Sequence, residues 1–343
     1  MMASQDGGAT FRSARRRTLK LLATAAAGAV ASPFVGRIDR AFAAWPADRP
    51  VRVVVPNSPG GPSDLTARFI APALQEILGG RFIVENRPGG SGNIGTQTVM
   101  RAEPDGYTFA VVTSGYAINP SLRDPPPYDP LRDLLPVAEL ISSPSMFVCR
   151  PELGVATLKE AVALARADQS KFNIGTPPIG STLHLGAELL KLRENLGKVA
   201  VVVYNGGGQA VLGVLAGNVE LCSSSLAPVL SHIQEGKLKG LAILGEERWP
   251  DLPDVPTARE AGLADFNFET CTALMAPVGL PEEIRRAAEK AAIDALNQAD
   301  LRARVMKAGF SVRARTGAEH MARLQREVPM FREIVRSAGI KVN

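Results

Sequence analysis

The sequence predicts a two-lobed α/β protein. Three observations carry that reading. Apolar runs of strand length alternate with amphipathic stretches of helix length. The alternation restarts after a proline-rich connection at 119–133, and 343 residues are enough for two domains.

In the first set, VRVVV at 51–55 reads as a buried strand ended by Pro56. Leu65, Phe69, Ala73 and Ile77 recur every four residues and share one helix face. RFIVEN at 81–86, a short helix over 92–102 and YTFAVVT at 107–113 complete a β-α-β-α-β order. That order implies a mostly parallel sheet flanked by helices. In the second set, SMFVCR (145–150) is strand-like, and Thr157 with Glu160 forms a capping box for a helix over 157–168. KFNIG (171–175), a helix over 181–195, KVAVVVY (198–204), a helix over 209–217, VELCS (219–223) and KGLAIL (239–244) follow. KVAVVVY is the strongest strand signal in the chain. TALMAP (272–277) and helices over 281–297 and 317–339 close it. Both 119–144 and 250–270 are candidate crossings. Two crossings make the first lobe discontinuous, 44–144 with 265–343, around a second lobe at 145–264.

The net charge of +5 does not signal a nucleic-acid partner. Residues 14–20, ARRRTLK, precede the mostly apolar LLATAAAGAVASPFV and then AFA at 41–43. A basic region, an apolar region and a small-x-small site read as an export signal cleaved near Ala43, so a periplasmic location is expected. The apolar run is short for a membrane span. Arg15 and Arg16 with Leu19 and Lys20 resemble a twin-arginine signal, although Thr18 leaves the general route open. Residues 1–43 hold seven basic and two acidic residues, and the remainder has 32 of each, a formal charge of zero. No Lys/Arg cluster with interleaved aromatics remains, so no nucleic acid is expected. Cys149, Cys222 and Cys271 are too few and too scattered for a disulfide framework or a zinc site. Buried thiols are expected, with one bridge left open.

The loops after the strands carry the chemistry. In PNSPGGPSD, Gly60 and Gly61 uncover backbone amides, and Ser63 or Asp64 is placed to cap the next helix. A helix start with free N–H groups attracts an anion. The arrangement recurs at Thr113, Ser114 and Gly115, at Thr176 with Gly180, Ser181 and Thr182, at Asn205 with three glycines, and at Ser223, Ser224 and Ser225. Each follows the carboxyl end of a strand, where open α/β sheets bind ligands. None carries Arg or Lys, which suits a small anion held by neutral donors.

Enzyme motifs are absent: there is no phosphate-binding loop, dinucleotide fingerprint, H-E-x-x-H or C-x-x-C. GGSGN at 89–93 has Asn93 where a nucleophile elbow needs glycine. His184, three residues after Ser181, is the one candidate base for a serine hydrolase, but no motif supplies an orienting acid. His232 and His320, in polar helical contexts, read as surface residues. No catalytic residue, metal ligand or cofactor is assigned, and the chain is not expected to be an enzyme.

VRVVVPNSPGGPSDLTAR, IVENRPGGSGNIGT, PDGYTFAVVTSGYAINPSL, YDPLRDLLPVAEL, GSTLHLGAELL, LPDVPTAREAGL and MAPVGLP run in order from about residue 46 onward. With them the chain resembles the periplasmic substrate-binding proteins of tripartite tricarboxylate transporters, the Bug receptors. The resemblance implies a Venus-flytrap clamp of the type II periplasmic-binding fold. It implies a monomer that binds a small organic acid without cofactor or catalysis and delivers it to membrane subunits of the transporter. A ligand sensor signalling to a membrane receptor or kinase is the alternative. It also implies that one carboxylate is held in the first lobe by the loop with Ser58, Gly60, Gly61, Ser63 and Asp64 and by the loop with Gly180, Ser181, Thr182 and His184. Thr113, Ser114, Tyr204, Asn205, Gly206, Gly207 and Ser224 would line the more variable part. Asn57 stands where relatives often have an aromatic residue, Ser224 where Asp is common, and Cys271-Thr272 where Trp-Phe is common. TPPIG is stiffer than the usual loop. A carboxylate without an essential amino group is the ligand these departures suggest.

Overall fold

The structure, a computed structural model, describes residues 45–341; the export signal expected at 1–43 lies outside them. Among the described residues no helix is long and apolar enough to cross a membrane.

Eleven described strands form two sheets. The first contains β1 (Val51–Val55), β2 (Phe82–Asn86), β3 (Thr108–Thr113), β4 (Leu134–Ser143), β10 (Thr270–Pro277) and β11 (Ser311–Thr316), in the order β11-β4-β10-β3-β1-β2. The second contains β5 (Ser145–Cys149), β6 (Asn173–Thr176), β7 (Ala200–Val203), β8 (Leu221–Ser225) and β9 (Lys239–Ile243), in the order β7-β6-β8-β5-β9. This is the two-lobed α/β architecture, with both sheets flanked by helices.

The sheets are more mixed than the alternation of elements suggests. β1 runs parallel to β2 and β3, and β6 runs parallel to β7 and β8. The strands that carry the chain between lobes or return to the first one, β4, β5, β10 and β11, pair antiparallel.

Local chemistry explains most elements. Val51, Val53, Val54 and Val55 are fully buried in β1, each contributing about 1.5–3 kcal/mol. The Thr157 hydroxyl accepts the Glu160 amide, as expected, while the Glu160 carboxylate reaches back to the Ala156 N–H rather than to that of Thr157. Cys149, Cys222 and Cys271 are free and buried. Burial pushes their thiols up, to about 11 for Cys149 and about 12 for the other two, so they stay protonated.

β4 was hidden in the sequence within a presumed connection. It contains Pro136 and Glu139, neither typical of a buried strand. Glu139 is fully buried, and its carboxylate meets His320 Nδ1 at 3.0 Å and Arg323 Nη1 at 3.1 Å, with Arg315 at 3.7 Å. His320 is therefore a core residue, not a surface one.

Candidate ligand site between the lobes

Strand polarity places the loops. The parallel pairing of β1, β2 and β3 puts Val55, Asn86 and Thr113 at one edge of the first sheet. Antiparallel pairing brings the start of β10 and the end of β4 to that same edge, with Thr272 opposite Thr113 and Ser143 opposite Thr270. In the second sheet the carboxyl ends of β6, β7, β8 and β9 share an edge with the start of β5, since Ser145 pairs with Ser225 and Met146 with Ile243. Only Pro144 separates β4 from β5, and the return runs from Ile243 to Thr270. The two loop-bearing edges therefore adjoin the crossings and face each other. Contact across them is direct: a Cβ on Gly180 would overlap Leu122 Cδ1, and one on Gly309 would lie 3.1 Å from Ala227 Cβ.

Three helices start at these edges, Pro62–Leu78, Thr182–Arg193 and Gly207–Leu215. Their first-turn amides have no intrahelical acceptor, so each start presents N–H donors and partial positive charge. In the first loop the cap differs from expectation. Gly61 is the N-cap, with no side-chain cap bond, and Pro62 follows. Ser63 Oγ donates instead to Asn57 Oδ1 at 3.0 Å. Asp64, 2% exposed, accepts from the Gly60 amide at 2.9 Å, from Asn86 Nδ2 at 2.9 Å and from Arg68 Nε at 3.0 Å. Burial raises its pKa, but these donors outweigh that and hold it below the usual carboxylate range. Its carboxylate is committed to the loop, as is the Gly60 N–H, so neither is a free ligand contact. Ser58 is exposed and Gly61 half-buried.

The loop with Gly180 to His184 follows β6, so it belongs to the second lobe rather than the first. Ser181 caps its helix, its Oγ accepting the His184 amide at 3.2 Å. Thr182 and His184 are buried. Burial lowers the His184 pKa, and its Nδ1 has no hydrogen-bond partner among the described residues. A cap, rather than a serine–base pair, accounts for the Ser181–His184 spacing.

Thr113 is half-buried and its Oγ1 accepts the Gly115 amide at 3.3 Å. Ser114 is 4% exposed and ties β3 to β10: its Oγ accepts the Cys271 amide at 3.0 Å. Ser224 is fully buried, and its Oγ donates to Ser225 O at 3.0 Å. It shares a face with Cys222, which packs with Val211 and Val214 of the helix Gly207–Leu215. Ser224 is thus a core residue, and half-buried Ser225 ends the strand at the cleft edge. Tyr204 packs closely against Gly213 and Gly175 beneath that helix. Asn205, Gly206 and Gly207 stay at the exposed or half-buried start of the same helix.

One loop was missed. A cavity of about 50 Å³ is lined by Asn57, Thr113 and Asn119 together with Ser91, Gly92 and Thr96. Ser91 adopts φ +58° and its carbonyl accepts from Asn119 Nδ2 at 2.6 Å. GGSGN has the same Gly/Ser composition as the other loops and follows a strand, which was the available signal. As a nucleophile elbow the segment fails at Asn93, but as a Gly/Ser turn after β2 it fits the same pattern as the other loops.

Residues 66–340 match the family described as the tripartite tricarboxylate transporter family receptor. The protein BugT of Bordetella pertussis is 36% identical over 238 residues, 69% of this chain and 73% of that protein. The structure of MatC from Rhodopseudomonas palustris with bound malate is 32% identical with TM-score 0.68, covering 84% of this chain and 99% of that one. A second R. palustris structure, with adipate, is 28% identical with TM-score 0.72, covering 87% and 99%.

Proposed function

The chain belongs to the tripartite tricarboxylate transporter receptor family, and from that premise we propose that it is a periplasmic receptor capturing a small organic carboxylate between its lobes for delivery to the transporter's membrane subunits. The observation that carries this reading is the placement of three helix starts and several Gly/Ser/Thr/Asn loops on two facing sheet edges. Such donors pair with a carboxylate while costing less to desolvate than Lys or Arg. The malate and adipate held by related structures fit the same chemistry.

The lobes in this reading are 44–144 with 265–343, and 145–264, hinged where β4 passes to β5 and where β9 returns to β10. Ligand favours closure only through contacts made to both lobes at once. The site residues retained are Asn57, Ser58, Gly61, Thr113, Ser181, Thr182, His184, Asn205, Gly206 and Gly207, with Ser91, Asn119 and Ser225 added. Asp64 braces the first loop, and Ser114 and Ser224 support the strand ends.

Calorimetry on ligand-stripped protein against malate, succinate, adipate, benzoate and aspartate tests the proposal. Saturable binding of at least one acid is expected. No binding by any of them, with no acid released from freshly purified protein on mild denaturation, overturns it. A strong preference for aspartate over its deaminated analogue succinate overturns the expectation that no amino group is needed.

A further inference from the structure

The loops first read as the site carry no cation, yet the fold brings one to it. Arg123 follows the turn Asn119–Leu122. Leu122 abuts Gly180 of the opposite lobe, so Arg123 stands where the two edges meet. Its Nη2 lies 3.4 Å from Oγ of Ser91, which lines the small cavity with Asn57 and Thr113. Its Nη1 is buried and donates no hydrogen bond among the described residues. Other buried or half-buried arginines of the fold are matched by acids: Arg313 by Glu269, Arg315 by Glu246 and Arg323 by Glu139 and Glu327. Arg123 makes no such pair among the described residues. Guanidinium stays charged at any physiological pH, and an unpaired buried N–H is costly. A carboxylate is its natural partner, by charge and by the match of planar forks.

We propose that Arg123 is a specificity-determining residue of the inter-lobe site, its guanidinium pairing with the second carboxylate of a dicarboxylic acid whose first carboxylate rests on the neutral donors. The proposal builds on the receptor reading above and narrows its ligand to a dianion. A monocarboxylate of equal length satisfies the neutral donors and leaves Arg123 unpaired.

The test uses matched pairs, succinate against butyrate and adipate against hexanoate, titrated calorimetrically into the wild type, Arg123→Gln, Arg123→Lys and Arg332→Gln. Arg332 lies across an outer hollow of about 660 Å³ that Arg123 also borders, so its variant controls for general surface charge. In the wild type at least one diacid is expected to bind about 10–100-fold tighter than its monoacid, the range for a charged hydrogen bond. Arg123→Gln brings the pair within about threefold by weakening the diacid alone, while Arg332→Gln keeps the preference and Arg123→Lys, which retains the charge but not the planar fork, keeps part of it. A preference that survives Arg123→Gln, or one that falls equally with Arg332→Gln, overturns the proposal. So does a wild type that binds monoacids as tightly as diacids, which leaves the receptor reading intact. A wild type that binds no acid at all overturns both. Arg123→Lys answers the question if the glutamine variant fails to fold: loss of the preference with the charge kept and the fold intact counts against ion pairing.

Discussion

At Asp64 three donors, the Gly60 amide, Asn86 and Arg68, converge on one buried carboxylate, and through it the loop after β1 is tied to the strand beside it. Asp64→Asn keeps an acceptor but loses the charge and turns one donor against another. It is expected to cost about 1–3 kcal/mol in urea denaturation and to weaken ligand binding through the loop. Stability within experimental error of the wild type would show that the brace is dispensable. Glu139 makes a similar commitment deeper in the fold. Burial raises its pKa, but the His320 hydrogen bond and the charges of Arg323, His320 and Arg315 outweigh that and bring it from 4.5 to about 2. A depressed folded pKa contributes stability that is complete above the unfolded value and lost as pH falls towards the folded one. Wild-type stability should therefore drop between about pH 4.5 and 2, and Glu139→Gln should flatten that limb while losing stability at neutral pH. An unchanged acid limb in the variant would remove Glu139 from the account. Neither role was legible in the sequence. An acid near a helix start looks the same whether it grips a ligand or a loop, and the partners of Glu139 lie 181 and 184 residues away.

At the scale of elements, a helix start does two jobs with one residue. Ser181 Oγ satisfies the His184 amide, so its acceptor capacity serves the helix while its hydroxyl proton remains available. Ser181→Ala should lower stability by about 1 kcal/mol as a lost cap and weaken ligand binding by roughly 1–3 kcal/mol as a lost donor. Ser181→Asp separates the two: it restores the cap but sets a carboxylate against an anionic ligand, so stability should recover while affinity falls further. Affinity unchanged in both variants would leave Ser181 as a cap only. The regular elements were legible where burial alone shapes them, as in β1, whose observed span is the expected one. KVAVVVY misled in degree: β7 is an edge strand, with Val203 41% exposed. β11 was invisible because SVRART is an edge strand too, whose Arg313 and Arg315 answer acids on the second crossing and on β4. Charge pairing across the fold, not local periodicity, decides such strands.

For the whole molecule the loops were legible as a set because strand polarity, which the βα alternation implies, sends every such loop to one edge. The approach of the two edges was not, since it depends on the crossings. Gly180 and Leu122 measure that approach. Gly180 sits at φ +78°, and an added Cβ would overlap Leu122 Cδ1 from the opposite lobe. Gly180→Ala therefore carries two penalties, backbone strain of about 1 kcal/mol and a wedge between the edges. Leu122→Ala makes room for the wedge but leaves the strain. If closure over the ligand needs this contact, Gly180→Ala should bind its ligand more weakly, and the double variant should recover part of that affinity without recovering the strain. Small-angle scattering supplies the independent reading. Saturating ligand should lower the radius of gyration of the wild type and lower it less in Gly180→Ala. Equal contraction in both proteins, with no coupling between the substitutions in calorimetry, would mean that the lobes close without bringing Gly180 and Leu122 together.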